Sequence, residues 1–574
     1  MSRNDTGHRF DAVPAASISR SRFDRSSKYT TTFNVGQLIP FYVDEVLPGD
    51  TFSIDTSKVI RLQTPTVPFM DNLYLDTYYF YVPNRLVWNH WEEFMGENKN
   101  SAWIPTTTYQ IPQISGSPGS SSIADYMGLP TGVQMSVSAL PFRAYALICN
   151  EWFRDQNLQD PLNIPLDDAT VSFASVMNTS SLSPGQVEAG YVTDVAAGGS
   201  PYVANKLHDY FTSALPAPQK GPDVTIPLFG SVLPVITQSE KIDVSGNPPI
   251  HFASTTGTAA ARTFVNAAFG ADAVVTGNKG WTLVGLDSST EPTGQHLDTA
   301  PDNLIVDASV GTMASINSLR LAFQTQKYYE KLARGGSRYI EMIKSMFGVT
   351  NPDYRLQRPE YLGGNRIPFS VQQVVQQNAS EGVSITPLGF TGAQSLTTDV
   401  HSDFTKSFTE HGYVIGICVA RYHHSYQQGI MKMWSRKSSL DFYYPVFANI
   451  GEQPILQKEI MATGRTESSV GAPADDAVFG YQEAWAEYRY RPSIVTGEMR
   501  SNSDKTLDYW HFADNYASSP FLSGSWMRED PAPVNRALRV SSDVANQIFC
   551  DFYIKCKCTR AMPLYSVPGL IDHH

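Results

Sequence analysis

The sequence predicts an all-β sandwich with enlarged loops, and two observations lead to that fold class. Strand-like apolar patterns recur along almost the whole chain, at 38–43, 51–55, 59–63, 73–82, 412–422, 485–490 and 548–558. Helical patterns are fewer and lie in the connections, following Asn84 (expected to act as a cap), beginning at Pro141, and covering about 313–333 and 339–347. One sandwich with long insertions therefore fits better than a row of small domains, because neither repeats nor heptads are present.

The segment 73–82 carries the strongest strand signal. Side chains alternate across a strand, and large apolar or aromatic residues occupy both parities: Leu73, Leu75, Tyr79 and Tyr81 on one side, Tyr74, Tyr78, Phe80 and Val82 on the other. A strand with one face in water would alternate apolar and polar residues instead. We therefore expect this strand to be buried on both faces, or buried on one face and covered by a partner on the other. Pro83 ends it.

The last strand, 548–558, explains most of the cysteines. Ile548, Cys550, Phe552, Ile554, Cys556 and Cys558 share one parity, and polar residues dominate the other. This is the pattern of an amphipathic strand whose cysteines act as small core residues. No second cysteine pair or histidine pair lies at zinc spacing, so no metal or other cofactor is expected. Structural roles are likewise expected for His423-His424 and Glu410-His411.

Composition indicates a subunit covered by neighbours. Charged residues make up 17% of the chain and aromatic residues 12%, whereas a typical soluble domain is about 25% charged. Interface cores are depleted in charge and rich in aromatic side chains. We expect Trp88, Trp91 and Trp103 among the packed aromatic residues.

The protein is expected to be made and kept in a reducing cytoplasm, or to mature without needing oxidation. The residues after Met1 contain no apolar leader, and the longest apolar run, 413–420, is far shorter than the roughly 20 residues that span a bilayer. No membrane insertion is expected. Five cysteines in 574 residues do not form a disulfide framework.

Catalytic motifs are absent: the chain has no nucleophile elbow, zinc-protease motif or phosphate-binding loop. The carboxylate pairs Asp167-Asp168, Asp475-Asp476 and Glu92-Glu93 could serve glycoside hydrolysis. Adjacent acids in loops are more often solvated surface. A β-sandwich carbohydrate-active enzyme, or a sugar-binding module of the same class, remains the alternative function.

Charge is unevenly distributed, beginning with a basic N-terminal arm at 1–30. This arm holds six basic residues against three acids, although the chain has a net charge of −12. A basic arm on an acidic body can bind phosphate. Its candidate nucleic-acid contacts are Arg20, Arg22, Arg25 and Lys28. The alternative is a solvated terminus with incidental arginines.

The opposite balance marks a variable insertion at 222–310. Residues 222–307 contain nine acids and three bases among many small residues, which is typical of an exposed insertion. Phe252, Phe264, Phe269 and Trp281 are the expected anchors of its own small core. The remaining segments, 31–221 and 311–574, would form the two parts of the sandwich.

Nine long segments closely resemble the major capsid protein of gokushovirus-type microviruses. They are RSRFDRS (20–26), TTFNVGQLIPFYVDEVLPGDTF (31–52), PFMDNLYLDTYYFYVPNRLVW (68–88), FRDQNLQDP (153–161), HDYFTSALPAPQKG (208–221), RLQRPEYLGG (355–364), FTKSFTEHGYVIG (404–416), VFGYQEAWAEYRYRPS (478–493) and CTRAMPLYSVPGLID (558–572). The resemblance runs from about residue 20 to the C-terminus. It fails mainly in 112–123, 222–310 and 379–400, where loops are expected to vary.

The resemblance implies a viral jelly roll of eight antiparallel strands in two sheets. Sixty copies would close a T=1 icosahedral shell around circular single-stranded DNA, with help from a small basic packaging protein. The insertion 222–310 would form a threefold protrusion that contacts a bacterial surface receptor. Assembly would occur in the cytoplasm of the host bacterium, and the product would be the virion.

Overall fold

The computed structural model describes residues 19–97, 108–174, 194–222, 224, 316–335, 339–348, 357–377, 388–469 and 471–565, and the backbone of four short strands between 235 and 306. The chain divides into two compact units. The first combines Met1–Pro218 with Ala333–His574, and the second is Gln219–Leu332.

Nine strands of the first unit form two facing sheets. They are β1 Ser21–Asp24, β2 Ser27–Phe33, β3 Ile39–Val46, β4 Thr51–Leu62, β5 Leu73–Pro83, β6 Glu360–Pro368, β7 Thr397–Ser407, β8 Gly412–Tyr422 and β9 Ile548–Arg560. In one sheet β1 and β2 pair with β9, which pairs with β4, which pairs with β7; the other has the order β6-β5-β8-β3. Every one of these pairs is antiparallel. Because β1 and β2 follow the same edge of β9, the sandwich has eight strand positions, and the predicted jelly roll is confirmed.

The main core lies between the sheets, and alternation along the strands builds it. In β9 the predicted apolar parity, including Cys550, Cys556 and Cys558, is buried. Phe41 stacks on Phe552 with ring centroids 4.6 Å apart, so the two sheets meet through aromatic rings. The amphipathic interpretation of this strand is confirmed.

A second apolar cluster covers the other face of β5. Leu73, Leu75, Tyr79 and Tyr81 belong to the main core, while Phe80 and Val82 pack into the second cluster. The helix Leu140–Ile148 supplies much of that cluster, together with Trp88 and Trp91. The strand is therefore buried on both faces by its own chain. Trp103 lies outside the described residues.

Three sequence-based assignments were wrong in detail. The segments 51–55 and 59–63 are one continuous strand, β4. Residues 485–490 are not a strand, because Trp485 adopts a left-handed backbone (φ 64°) and leads into the 3₁₀ turn Ala486–Tyr488; the strand there is Val478–Glu483. Asn84 is not a cap, since Pro83 occupies that position and makes no side-chain hydrogen bond.

The remaining strands and the helices lie in the connections between the sandwich strands. Further strands of the first unit are Gln113–Gly116, Met135–Ser138, Val171–Ser172, Val371–Val375, Thr391–Ser395, Ser425–Tyr426, Glu452–Leu456, Val478–Glu483 and Ser493–Ile494. Helices are Trp91–Phe94, Ile123–Tyr126, Leu140–Ile148, Ile316–Arg334, Tyr339–Phe347, Gln457–Ile460, Gly524–Met527 and Ala532–Ala537. None of the described helices is long and apolar enough to cross a membrane.

The second unit contains two short pairs of antiparallel strands. Val235–Thr237 pairs with Leu304–Val306, and His251–Phe252 pairs with Arg262–Thr263. Phe252 therefore lies in a strand. The other expected anchors, Phe264, Phe269 and Trp281, lie outside the described residues.

Candidate nucleic-acid face and family membership

The outer face of the sheet that contains β9 carries the candidate nucleic-acid site. Because inward positions of β9 are apolar, the alternate positions Tyr553, Lys555 and Lys557 point away from the core. Cross-strand register places Lys28 opposite Tyr553 and Arg22 opposite Thr559, on the same face. Folding thus brings residues 22–28 and 553–559, which are far apart in sequence, together on one surface.

The four basic residues expected to contact nucleic acid occupy two kinds of environment. Arg20 and Arg22 are exposed at the start of β1. Arg25 forms an ion pair with Asp44 (2.8 Å), and Lys28 forms one with Asp551 (2.9 Å). The described part of the arm, residues 19–30, is not separate from the sandwich, because β1 and β2 are hydrogen-bonded to β9.

The register adds three cations that the arm alone does not contain. Lys555 and Lys557 lie on β9, and Arg61 lies on β4 opposite Phe549. We call Arg22, Lys28, Arg61, Lys555 and Lys557 the basic face. Sequence reasoning recorded the two lysines only as the polar parity of the last strand. Strand pairing, which a single sequence does not show, is what places them beside the arm.

The basic face is mixed rather than uniformly positive. Asp24, Asp55 and Asp551 lie among its cations, and Lys555 is 3.8 Å from Asp55. Exposed rings of Tyr553 and Phe549 accompany the charges. Cations that attract phosphate, combined with rings on which bases can stack, suit single-stranded nucleic acid without reading its sequence.

A buried charge cluster lies elsewhere, in the connection between β8 and β9. His424 is fully buried, with its ring nitrogens 2.9 Å from an oxygen of Asp514 and 2.9 Å from one of Glu529. Asp514 also lies 3.4 Å from Lys206 Nζ. Burial alone would lower the pKa of His424, but the two carboxylates outweigh it and raise that pKa to about 9.

The other histidines and acid pairs that sequence analysis considered also have structural partners. His411 packs on Trp91, and Glu410 pairs with Arg85. Asp168 accepts a hydrogen bond from the Trp88 indole nitrogen (2.6 Å), and Asp475 accepts backbone hydrogen bonds from Thr463 and Gly464.

Within the described part of the chain, no cluster of three or more histidine, cysteine or acidic residues could hold a metal ion.

Comparison with known proteins decides the family. The model of the phage family "Capsid protein (F protein)" matches residues 11–570. The chain belongs to this family. Capsid protein VP1 of Chlamydia phage 1 is 41% identical over 607 aligned residues, which cover 98% of each chain. Capsid protein VP1 of Spiroplasma virus 4 is 41% identical over 571 residues, covering 98% of this chain and 97% of the relative.

A third relative agrees: capsid protein VP1 of Bdellovibrio phage phiMH2K is 39% identical over 571 residues, covering 98% of this chain and 97% of its own. The resemblance to the major capsid protein of microviruses is confirmed. The chain is a structural capsid protein of a bacteriophage virion that self-assembles into a shell, and it is not an enzyme.

Proposed function

We propose that sixty copies of the chain close a T=1 icosahedral shell around a circular single-stranded DNA genome. The eight-strand jelly roll, together with the match to phage capsid proteins over almost the whole chain, is the observation that carries this proposal. A compact sandwich with long connections offers a rigid body and many contact surfaces, and a closed shell needs both. The symmetry and copy number come from the microvirus resemblance.

The basic face is the part of the subunit that we assign to the genome. Arg20, Arg22, Arg25 and Lys28 would face inward with Lys555, Lys557 and Arg61 and neutralise phosphates. The chain as a whole has a net charge of −12, so a small basic packaging protein and counterions would complete the neutralisation. Assembly would take place in the cytoplasm of the host bacterium, where thiols stay reduced. The five cysteines, all unpaired and buried, suit such a compartment.

The insertion 222–310 is the part that we assign to host attachment. Its acidic, small-residue composition supplies little apolar area for a core position, so it suits a projection at a threefold axis. Anchoring by Phe252, Phe264, Phe269 and Trp281 would leave acids and threonines exposed for a bacterial surface receptor.

Electron microscopy of the protein, expressed in bacteria with the other proteins of its phage, tests the shell. We expect closed particles of one size with icosahedral symmetry and sixty copies. Particles of another symmetry would overturn the T=1 assignment. A chain that stays monomeric in every combination would overturn shell formation itself.

A further inference from the structure

One exposed segment of the β8–β9 connection is unusually apolar. Residues 438–450, SSLDFYYPVFANI, contain a single charged residue, Asp441. Large apolar side chains are nevertheless exposed along it: Leu440, Phe442, Tyr443, Tyr444, Val446 and Ile450. Val446 is 88% exposed and Leu440 67%. We call residues 438–450 the apolar ridge.

The ridge is held in shape by the chain behind it. The Asp441 carboxylate accepts hydrogen bonds from the backbone N–H groups of Lys437 and Ser438, both at 2.7 Å. The single charged side chain of the ridge is therefore hydrogen-bonded within the same chain. The Trp485 indole nitrogen donates to the Phe447 carbonyl oxygen (2.9 Å), and the Tyr443 ring packs on Trp485. A surface that is ordered in advance loses little conformational entropy when a partner binds.

A cleft of about 370 Å³ opens beside the ridge. Met431, Met433, Tyr488 and Tyr490 line it, and Tyr488 packs on Tyr443 of the ridge. Four basic and two acidic side chains complete the lining: Lys432, Arg436, Arg489, Arg491, Glu459 and Glu487. Arg436 contacts two of the lining residues: its guanidinium lies 4.5 Å from the Tyr488 ring centre and 3.0 Å from Glu487. In protein interfaces, binding energy concentrates on exposed apolar and aromatic side chains that pack with a partner, and on the pockets beside them.

The composition of the ridge indicates which kind of molecule binds it. Nucleic acid requires cations, and residues 438–450 contain none. In the cleft, Lys432 and Arg436 pair with Glu487, and Arg489 pairs with Glu483, so most of its positive charge is already neutralised. Protein interface cores, by contrast, are poor in charge and rich in aromatic residues. A capsid chain must meet copies of itself, and exposed apolar surface of this kind is uncommon on proteins that stay monomeric.

From these observations we infer that a second copy of this chain binds the apolar ridge and its cleft, so that residues 438–450 form a subunit–subunit contact of the shell. The inference rests on the proposed shell and deepens it by naming one of its contacts.

Single substitutions on the ridge test the contact. Val446→Asp and Leu440→Asp each place a charge on the surface that a neighbouring subunit would contact. Both side chains are exposed and lie outside the buried core. Val544→Asp is the matched control, because Val544 is 79% exposed and lies outside the ridge. All three chains are expressed with the phage partners, and particle yield is measured by gradient sedimentation.

We expect each ridge variant to lose particles at least tenfold while the free subunit keeps its thermal midpoint, and Val544→Asp to assemble normally. If an aspartate variant does not fold, Val446→Ser and Leu440→Ser replace it. Hydrogen exchange should also show residues 438–450 protected in wild-type particles relative to free subunits.

Normal particle yield from both ridge variants, or no protection of the ridge on assembly, would overturn the inference. So would normal particles with less DNA, which would assign the ridge to nucleic acid, and equal loss with Val544→Asp, which would show a general effect of added charge. If wild-type chains form particles, these outcomes leave the proposed shell intact; if they form none, the shell itself fails.

Discussion

His424 shows how one buried residue makes stability depend on pH. Its pKa is about 9 in the folded chain, against about 6.5 when unfolded. Because the folded pKa is the higher one, the stabilisation is fully present below pH 6.5 and is lost as the pH rises through about 9. Burial raises the pKa of the neighbouring Tyr422 and Tyr516 well above 10, so these phenols do not titrate in that window.

Replacing His424 with Gln should therefore cost about 3–5 kcal/mol near pH 7, because the buried carboxylate of Glu529 loses its positive partner and that of Asp514 keeps only Lys206. The thermal midpoint of the wild-type subunit should fall between pH 7 and pH 10, and that of His424→Gln should change less. The exposed neighbour His423, changed to Gln, is the control. Parallel pH profiles for wild type and His424→Gln would contradict the prediction.

The sequence predicted residues well where pattern alone decides their position. Both parities of β5 and the apolar parity of β9 are buried as expected. The error in β4 has a physical cause, because Thr56 and Lys58 point into the core although they are polar. Lys58 Nζ lies 2.9 Å from Thr77 Oγ1 and 3.6 Å from Asp399, partners that only the folded sheets bring together. Because Thr56 and Lys58 are polar, they interrupted the apolar pattern, and the sequence predicted two strands where there is one.

Among the secondary-structure elements, β6 owes its position to two glycines. Gly363 and Gly364 lie where the ladder with β5 is irregular. A Cβ atom on Gly363 would overlap the Asp403 carbonyl oxygen of β7, and one on Gly364 the Thr77 carbonyl oxygen of β5. The pair allows close backbone contact.

Gly364→Ala should therefore destabilise the subunit by about 3 kcal/mol, because β6 has to move away from β5. Gly392→Ala is the matched control: this glycine also lies in a strand, and its nearest neighbour would be the Val374 carbonyl oxygen at 3.7 Å. Denaturant midpoints of the free subunits compare the two. Equal midpoints would show that β6 tolerates a side chain at this position.

At the scale of the whole molecule, the basic face, together with Arg20 and Arg25 of the arm, should control how much DNA a particle holds. Replacing Arg20, Arg22, Arg25 and Lys28 with Gln should lower packaged DNA or particle stability, because fewer cations neutralise phosphates. The difference from wild type should shrink at high salt, because salt weakens the contacts that the wild type has and the variant lacks. DNA content is measured by the absorbance ratio of purified particles across a salt series. The triple variant of Lys555, Lys557 and Arg61 should act in the same direction.

Two comparisons separate contact with phosphate from structural damage. The double variant of Arg20 and Arg22 leaves the ion pairs of Arg25 and Lys28 intact. A control set changes four exposed cations elsewhere to Gln: Lys344, Arg465, Lys505 and Arg539. Normal DNA content in the quadruple variant would show that the arm is structural and that the genome contact lies elsewhere.

The insertion should be separable from the shell. Deleting residues 230–300 is expected to leave assembly largely intact and to abolish host attachment, measured as adsorption of particles to cells. Particles that adsorb normally would mark a tolerated insertion without a receptor role. Loss of assembly would show instead that the insertion is part of the shell. Composition suggested this separation, whereas the attachment role came only from the family resemblance.

The place of β9 makes completion of the sandwich depend on the synthesis of residues 548–560. This strand, Ile548–Arg560, separates β2 from β4 and pairs with both, although it follows the other eight strands of the sandwich in sequence. Until it emerges, β1 and β2 lack their sheet partner and β4 keeps an open edge. A chain released before residue 548 therefore cannot close its main core. Chains that stop short of this strand lack the closed sandwich, so we expect them to be excluded from the shell.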